Sequence, residues 1–164
     1  MQSSKLRNMT AIYLLRNSKV LLLYREGGSV VNNVWTGSAG GHFEKHELND
    51  PKACVLREMQ EELGLTSDDI DKLSLRYVAL RNTKGEIRQN YYFFAELKSH
   101  VDENLVSNEG TCKWFSLDEI EALKMPITAK GVMRHFCKTG RLTNSLYVGV
   151  TMGDEVVFEE LPET

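Results

Sequence analysis

The 164-residue sequence is poor in proline and cysteine and contains no long apolar run. Its three cysteines, Cys54, Cys112 and Cys137, are far apart and form no C-x-x-C pair. This spacing indicates neither a disulfide framework nor a cysteine-rich metal site, and we expect reduced thiols. No segment approaches the ~18 apolar residues of a membrane span, and the first residues lack the apolar stretch of a secretory signal. We therefore expect a cytoplasmic protein without a membrane partner.

The chain also lacks an excess of positive charge. Lysine and arginine number 20 against 23 acidic residues, which gives a formal net charge of -3. This balance argues against binding of long nucleic acid, although a single nucleotide can still bind together with a metal ion. With 41% hydrophobic residues and no internal repeat or linker, the composition is typical of a globular protein. We predict one α/β domain over residues 1–164.

Alternating β-prone runs and turn signals define the order of the predicted elements. A glycine- and asparagine-rich loop is expected over Glu26 to Asn33. One helix is predicted to begin at Asp50-Pro51 and to end at Gly64, and a second to cover Ile127 to Phe136. The predicted strands are Thr10 to Leu15, Val20 to Arg25, Leu73 to Leu80, Glu86 to Leu97, Cys112 to Phe115, Ser145 to Val150 and Glu155 to Leu161.

The first predicted helix carries a dense group of carboxylates. Glu58, Glu61 and Glu62 stand at positions i, i+3 and i+4, so their side chains are expected to share one face. Like charges at this spacing repel, and a divalent cation held by oxygen ligands would compensate them. Leu56, Met59 and Leu63 cluster on another flank and are expected to dock on a sheet. The alternative for the glutamates alone is an ordinary solvated helix face.

The residues around this helix favour the functional interpretation. The segment from Gly41 to Leu65 resembles the signature of the Nudix hydrolases, G-x5-E-x7-R-E-U-x-E-E-x-G-U, in which U is aliphatic. Gly41 and Glu47 match its first half, and the stretch from Arg57 to Leu65 matches its second half. Nine residues rather than seven separate Glu47 from Arg57, and we place the two additional residues at Leu48-Asn49, where a longer loop costs little.

The resemblance implies the family's α/β/α sandwich around a mixed β-sheet, here with an added C-terminal β-hairpin. It also implies hydrolysis of a nucleoside diphosphate linked to another group, with Mg²⁺ or Mn²⁺ as the cofactor. By position, the metal ligands are Glu58, Glu61 and Glu62 together with the carbonyl of Gly40. Glu47 resembles a residue that supports the site, and Arg57 one that orients the helix carboxylates. Either Glu58 or Glu109, in the loop before the Cys112 strand, resembles the catalytic base.

The substrate is less well defined by the sequence. Trp35 either lines a base pocket or packs in the core, and Arg81 and Arg88 either meet phosphate or lie on a solvated strand edge. Tyr91 to Phe94 alternate along one strand, so we expect half of them to face a core and half a surface or cleft. The chain looks most like small bacterial 8-oxo-dGTP diphosphatases, which implies a nucleoside triphosphate, oxidised or not, as substrate.

Two alternatives share the fold. An isopentenyl-diphosphate isomerase is disfavoured because no segment resembles the catalytic T-N-T-C-C-S-H-P type. A non-catalytic nucleotide sensor is disfavoured because the glutamates are intact. The C-terminal hairpin, Ser145 to Leu161, either covers a sheet edge or contributes to a homodimer.

Overall fold

The computed structural model describes residues 5–27 and 33–164. The predicted loop from Glu26 to Asn33 therefore falls mostly outside the described residues. None of the helices in the described part of the chain combines the length and hydropathy that a membrane crossing requires. The helices are α1 (Pro51–Leu63) and α2 (Ile127–Lys138), with short 3₁₀ helices at Lys45–Glu47, Ser67–Asp69, Leu117–Ala122 and Gly140–Leu142. The strands are β1 (Lys5–Arg16), β2 (Lys19–Arg25), β3 (Val34–Thr36), β4 (Ala39–His42), β5 (Ile70–Thr83), β6 (Glu86–Leu97), β7 (Thr111–Ser116), β8 (Tyr147–Met152) and β9 (Glu155–Glu160).

The strands form a mixed sheet in the order β3-β2-β1-β6-β5-β8-β9, with β4 paired to β1 and β7 paired to β2. The β1–β6 and β5–β8 pairs are parallel, and the other pairs are antiparallel. Two hairpins have turns whose central residues adopt positive φ, Asn17-Ser18 and Lys84-Gly85. Such turns match the twist of the flanking strands. The mixed sheet and the added C-terminal hairpin are confirmed.

A helix covers each face of the sheet. On one face α1 contributes Val55, Met59 and Leu63 to a core that includes Phe93. On the other face α2 packs against a core that includes Tyr92 and Phe94. The α/β/α arrangement is thus confirmed. It corrects the expectation that only half of the aromatic residues from Tyr91 to Phe94 face a core. Both sets of aromatic residues on β6 meet a core, because neither face of the central sheet is left uncovered, although Tyr92 also borders the cleft described below.

Local capping fixes the two ends of α1, as the sequence predicts. The Asp50 carboxylate accepts a hydrogen bond from the Ala53 amide at 3.0 Å, and Pro51 occupies the first turn. At the other end Gly64 adopts a left-handed conformation with φ of 69°, and its amide donates to the Gln60 carbonyl. These caps determine the register of α1 and therefore the direction of its glutamates.

The C-terminal hairpin extends the sheet. Strand β8 pairs in parallel with β5, so it covers the β5 edge and leaves β9 as the outer strand. The buried guanidinium of Arg76 donates to the carbonyls of Gly140, Thr143 and Ser145, which anchors the segment leading into β8. Of the two roles considered for the hairpin, the structure shows edge coverage.

Candidate active site

A cleft of about 570 Å³ opens between α1, β4 and the N-terminal end of α2. Its volume is typical of a small-molecule pocket. Glu58 and Glu62 of α1 border it together with Glu109, and Pro126 and Thr128 border it from the start of α2. The cleft therefore has an acidic end where α1 approaches β4.

Two glycines allow this close approach. The Gly40 amide donates to Glu62 Oε2 at 3.0 Å, and a Cβ on Gly40 would collide with the carbonyl of Thr10 on the neighbouring strand. A Cβ on Gly41 would collide with the carboxylate of Glu58. The Gly40-Gly41 pair thus lets two carboxylates of α1 reach the backbone of β4.

The two cleft carboxylates carry more negative charge than their surroundings compensate. Burial raises the pKa of Glu62 to about 7, although the Gly40 amide and Arg25, 3.8 Å away, act in the opposite direction. Burial also raises the pKa of Glu58, opposed by its hydrogen bond from Arg57. Desolvated carboxylates of this kind bind a divalent cation favourably, because the cation supplies the missing positive charge.

Glu61 takes a different position from its two neighbours. Its side chain is 56% exposed and does not border the cleft, and one oxygen accepts from Arg57 Nη1 at 3.1 Å. The shared acidic face expected from the spacing is therefore wrong in part. Glu58 and Glu62, one turn apart, point to the cleft, whereas Glu61 lies at its side because Arg57 pairs with it across an i, i+4 step.

Arg57 connects the helix to Glu47. Its Nε and Nη2 donate to the two oxygens of Glu47 at 2.8 and 2.9 Å, and Nη1 donates to Glu58 at 3.0 Å. These hydrogen bonds lower the pKa of the buried Glu47 to about 2. Glu47 reaches Arg57 despite the two-residue insertion, because Leu48 and Asn49 lie between the 3₁₀ helix and the start of α1. Arg57 thus links Glu47 to the cleft carboxylate of Glu58.

A second group of potential metal ligands lies beside this pair. One ligand atom from each of Glu44, His46 and Glu47 falls within 4.8 Å of the others, so the group could hold an ion. Both oxygens of Glu47, however, already accept from Arg57. Glu58 and Glu62 are better placed to hold an ion that also contacts a ligand in the cleft.

The remaining predicted residues lie in different places. Glu109 borders the cleft and is 3.5 Å from Arg25, which also contacts Glu62. Trp35 does not border the cleft, and its ring packs against Tyr24 and Phe115, with centroids 4.9 and 4.7 Å apart.

Arg81 and Arg88 both border the cleft, so the solvated strand edge considered for them is not their location. The sequence reasoning missed Arg7 and His42, which border the same region and contact each other at 2.9 Å. The pKa of His42 is lowered, first by burial and then by Arg7. Neither residue has a local sequence signal, since β1 and β4 bring them together from separate parts of the chain.

The cysteines offer no nucleophile at this site. Cys54 is fully buried beside Thr10, and burial raises its pKa to about 11, so the thiol is uncharged at neutral pH. Neither Cys112 nor Cys137 borders the cleft. The charged groups that border the cleft include the carboxylates of Glu58, Glu62 and Glu109 and several arginines, a combination suited to metal-assisted attack on a phosphate anhydride.

Comparison with known proteins agrees with this geometry. A sequence model of the NUDIX domain family matches residues 5–136. No curated protein matches the chain. Among solved structures, the mMutator MutT protein from Bacillus halodurans is 24% identical with a TM-score of 0.65, over 96% of this chain and 99% of that one. A NUDIX hydrolase from Nitrosomonas europaea is 16% identical with a TM-score of 0.67, over 90% and 80%. A C. elegans Ap4A hydrolase is 21% identical with a TM-score of 0.63, over 85% and 99%. These structures share the fold of the chain.

Proposed function

The chain belongs to the NUDIX domain family. We propose that it hydrolyses the diphosphate bond of a nucleoside diphosphate derivative with the help of a divalent cation. The observation that carries the proposal is the placement of Glu58 and Glu62 against the Gly40-Gly41 backbone at one end of the cleft. We also propose that residues 1–164 act as a single Nudix domain, since β8 and β9 belong to the same sheet as the matched region.

The donor set fits Mg²⁺ or Mn²⁺, because both ions prefer oxygen ligands. Glu58 and Glu62 would hold the ion, with the Gly40 carbonyl and Glu61 as further ligands in this proposal. An ion held there would supply positive charge opposite the phosphate oxygens on which negative charge develops as the anhydride breaks. The raised pKa values of Glu58 and Glu62 support this assignment, since burial leaves both carboxylates short of positive charge.

The residues of the chain would divide the remaining work. Arg57, fixed by Glu47, holds Glu58 in place through the 3.0 Å hydrogen bond. A water oxygen attacks one phosphorus, the bond from that phosphorus to the bridging oxygen breaks, and the bridging oxygen leaves with the electron pair. The proton of the water passes to a carboxylate. Glu58 and Glu109 are the two candidates for this base, because the family resemblance indicates these two positions and both border the cleft.

The sequence favours a nucleoside triphosphate such as 8-oxo-dGTP as substrate. One structure that shares the fold is named an Ap4A hydrolase, so we take a dinucleoside polyphosphate as the second candidate substrate. An isomerase function has little support, because none of the described cysteines borders the cleft. A nucleotide-sensing role has little support as well, because the carboxylates of the cleft are intact.

A substrate screen with metal dependence tests the proposal. The full chain is incubated with nucleoside triphosphates, 8-oxo-dGTP, nucleotide sugars, dinucleoside polyphosphates and coenzyme A, with Mg²⁺, Mn²⁺ or EDTA, and products are separated by chromatography. We expect metal-dependent cleavage of at least one class, lost in Glu62→Gln and retained in the control Glu155→Gln, on the distant β9. Undiminished turnover in Glu62→Gln would contradict the metal assignment. A nucleotide complex that remains stable for hours without turnover would support the nucleotide-sensing role instead.

The same substrate then identifies the base. Removing a general base costs about 10²- to 10⁴-fold in rate. Glu58→Gln and Glu109→Gln are compared over pH 5 to 10 with saturating Mg²⁺. In the variant that lacks the base, kcat should no longer rise with pH. The other variant should keep the pH profile of the wild type.

A further inference from the structure

Three arginines stand in one row across three adjacent strands. Arg7 of β1 is the register partner of Arg88 of β6, and Arg88 is the register partner of Arg81 of β5. Register partners project from the same face of a sheet, and like charges placed directly opposite each other are destabilising. All three residues border the cleft. The sheet therefore concentrates positive charge on one part of the cleft wall, which favours an anion there.

Protein groups compensate this row only partly. Glu86 Oε1 accepts from Arg88 Nε at 2.7 Å and from Arg7 Nη1 at 3.4 Å. The side chain of Arg81 is half-buried and makes no ion pair or hydrogen bond with any residue in the described ranges 5–27 and 33–164. Arg7 and Arg88 thus share one carboxylate, and the guanidinium of Arg81 meets no protein acceptor in this part of the chain.

The row is separate from the acidic end. Gly40, which donates to Glu62, pairs with Ala11 of β1, and Arg7 lies four residues before Ala11. At ~3.3 Å per residue, this separation along the strand is about 13 Å. Glu86, which accepts from Arg88 and from Nη1 of Arg7, lies farther still from Gly40 along the sheet, because its register partner is Lys5. The backbone positions of the two ends are therefore farther apart than the width of one phosphate.

Uncharged side chains line the wall between the two ends. Met9, Ala11, Asn90 and Tyr92 all border the cleft there. Met9 pairs with Asn90 and Ala11 pairs with Tyr92, so the four form two consecutive steps between the arginine row and Gly40. This stretch suits a nucleoside better than a continuous chain of phosphates, since phosphates would meet no positive charge along it.

We propose that Arg7, Arg88 and Arg81 form a second anion subsite. This subsite binds an additional phosphate of the substrate, and the nucleoside lies between that phosphate and the diphosphate that is cut. Guanidinium groups suit this ligand, because their paired N–H donors match two phosphate oxygens. The inference rests on the proposed function and narrows its substrate class. A nucleotide with an additional phosphate on the ribose fills both ends, whereas 8-oxo-dGTP carries all its phosphates on one chain and leaves the arginine row empty.

Kinetics with matched substrates test the subsite. The substrates are coenzyme A against 3′-dephospho-coenzyme A and NADP against NAD, with a dinucleoside tetraphosphate as the test of a long polyphosphate chain. We expect kcat/KM to favour at least one ribose-phosphorylated member by tenfold or more. Arg88→Gln and Arg81→Gln should each reduce this preference, the ratio of the two kcat/KM values, about tenfold. Arg134→Gln, which removes an exposed arginine on α2, is the control and should keep the preference.

A binding measurement separates this inference from the hydrolysis itself. Titration calorimetry in EDTA compares adenosine 3′,5′-bisphosphate with AMP. The bisphosphate should bind the wild-type chain at least tenfold more tightly than AMP does. The Arg81→Gln variant should bind the two nucleotides with equal affinity. Arg81 has no described partner, so its replacement should not disturb folding. Equal binding of the two nucleotides by the wild type, or a preference that survives in Arg81→Gln, overturns the subsite. A tetraphosphate preference that disappears in the arginine variants also overturns it, because the row would then bind the polyphosphate chain. Failure of the proposed function is a different result, namely absence of metal-dependent cleavage of every substrate.

Discussion

Replacing Glu62 by glutamine should stabilise the metal-free protein and at the same time abolish its activity. Glu62 is 8% exposed, and burial raises its pKa to about 7 from an ordinary value of 4.5. Between these two pH values the folded protein binds more protons at this site than the unfolded chain does. Stability therefore falls as the pH rises from 4.5 to 7 and stays low above pH 7. Glutamine is uncharged and escapes this penalty.

The size of the effect follows from the shift. Each pKa unit corresponds to about 1.4 kcal/mol, so the ionised Glu62 costs the folded protein about 3 kcal/mol at most above pH 7. Glutamine loses the contact of Glu62 with Arg25 and must satisfy its own amide, so the net gain should be about 1 to 2 kcal/mol. For a chain of this length that gain corresponds to a rise in Tm of about 2 to 8 °C.

Calorimetric melting at pH 8 in EDTA and in Mg²⁺ measures both parts of the prediction. In EDTA, Glu62→Gln should melt above the wild type, and the difference should disappear near pH 4.5. In Mg²⁺ the order should reverse, because only the wild type gains stability from the bound ion. The control is Glu155→Gln, whose exposed side chain on β9 should change stability by less than about 0.5 kcal/mol in either solution. If Glu62→Gln melts below the wild type in EDTA at pH 8, the contacts of Glu62 with Gly40 and Arg25 outweigh its burial, and the reasoning is wrong.

Three further predictions concern neighbouring positions. Gly41→Ala should displace the Glu58 carboxylate and raise the Mg²⁺ concentration for half-maximal activity at least tenfold, while an unchanged titration would show that Glu58 tolerates the methyl group. Glu47 has a pKa of about 2, below the ordinary 4.5, so its pairing with Arg57 stabilises the fold above pH 4.5 and this stability is lost as the pH falls towards 2. Urea unfolding of Glu47→Gln should accordingly show about 2 kcal/mol less stability at pH 7 and a shallower acid decline, and a decline as steep as that of the wild type would contradict the assignment. Trp35→Ala should cost about 3 kcal/mol of stability in urea unfolding, and the milder Trp35→Phe should leave KM unchanged, whereas a raised KM would restore the base-pocket interpretation.

The parts of the site that the sequence predicted correctly are those set by neighbours along the chain. Asp50, Pro51 and Gly64 determine the ends of α1 by local hydrogen bonds and backbone conformation, so their residue types are sufficient signals. The resemblance to the family signature also indicated that the segment from Gly41 to Glu47 belongs to the same site as α1.

The parts that the sequence could not predict depend on contacts between distant segments. Arg7 and Arg88 are separated by most of the domain, and only the parallel pairing of β1 with β6 places them side by side. Helical spacing alone does not distinguish Glu58, Glu61 and Glu62, but the position of α1 against β4 buries Glu62, partly buries Glu58 and exposes Glu61. Residue spacing carries no information on such packing, so the different exposure of the three glutamates could be read only from the structure.

The outer strand of the hairpin has a consequence for how the protein behaves at high concentration. An unpaired outer strand can recruit the same strand of another molecule and begin aggregation. On β9 the exposed side chains include Glu155, Glu159 and Glu160, and two copies aligned side by side would bring these carboxylates together. This repulsion weakens at low pH and at high salt. Storage near neutral pH and at low ionic strength should therefore keep the molecules apart, and acidic or high-salt crystallisation conditions should favour sheets that continue from one molecule to the next.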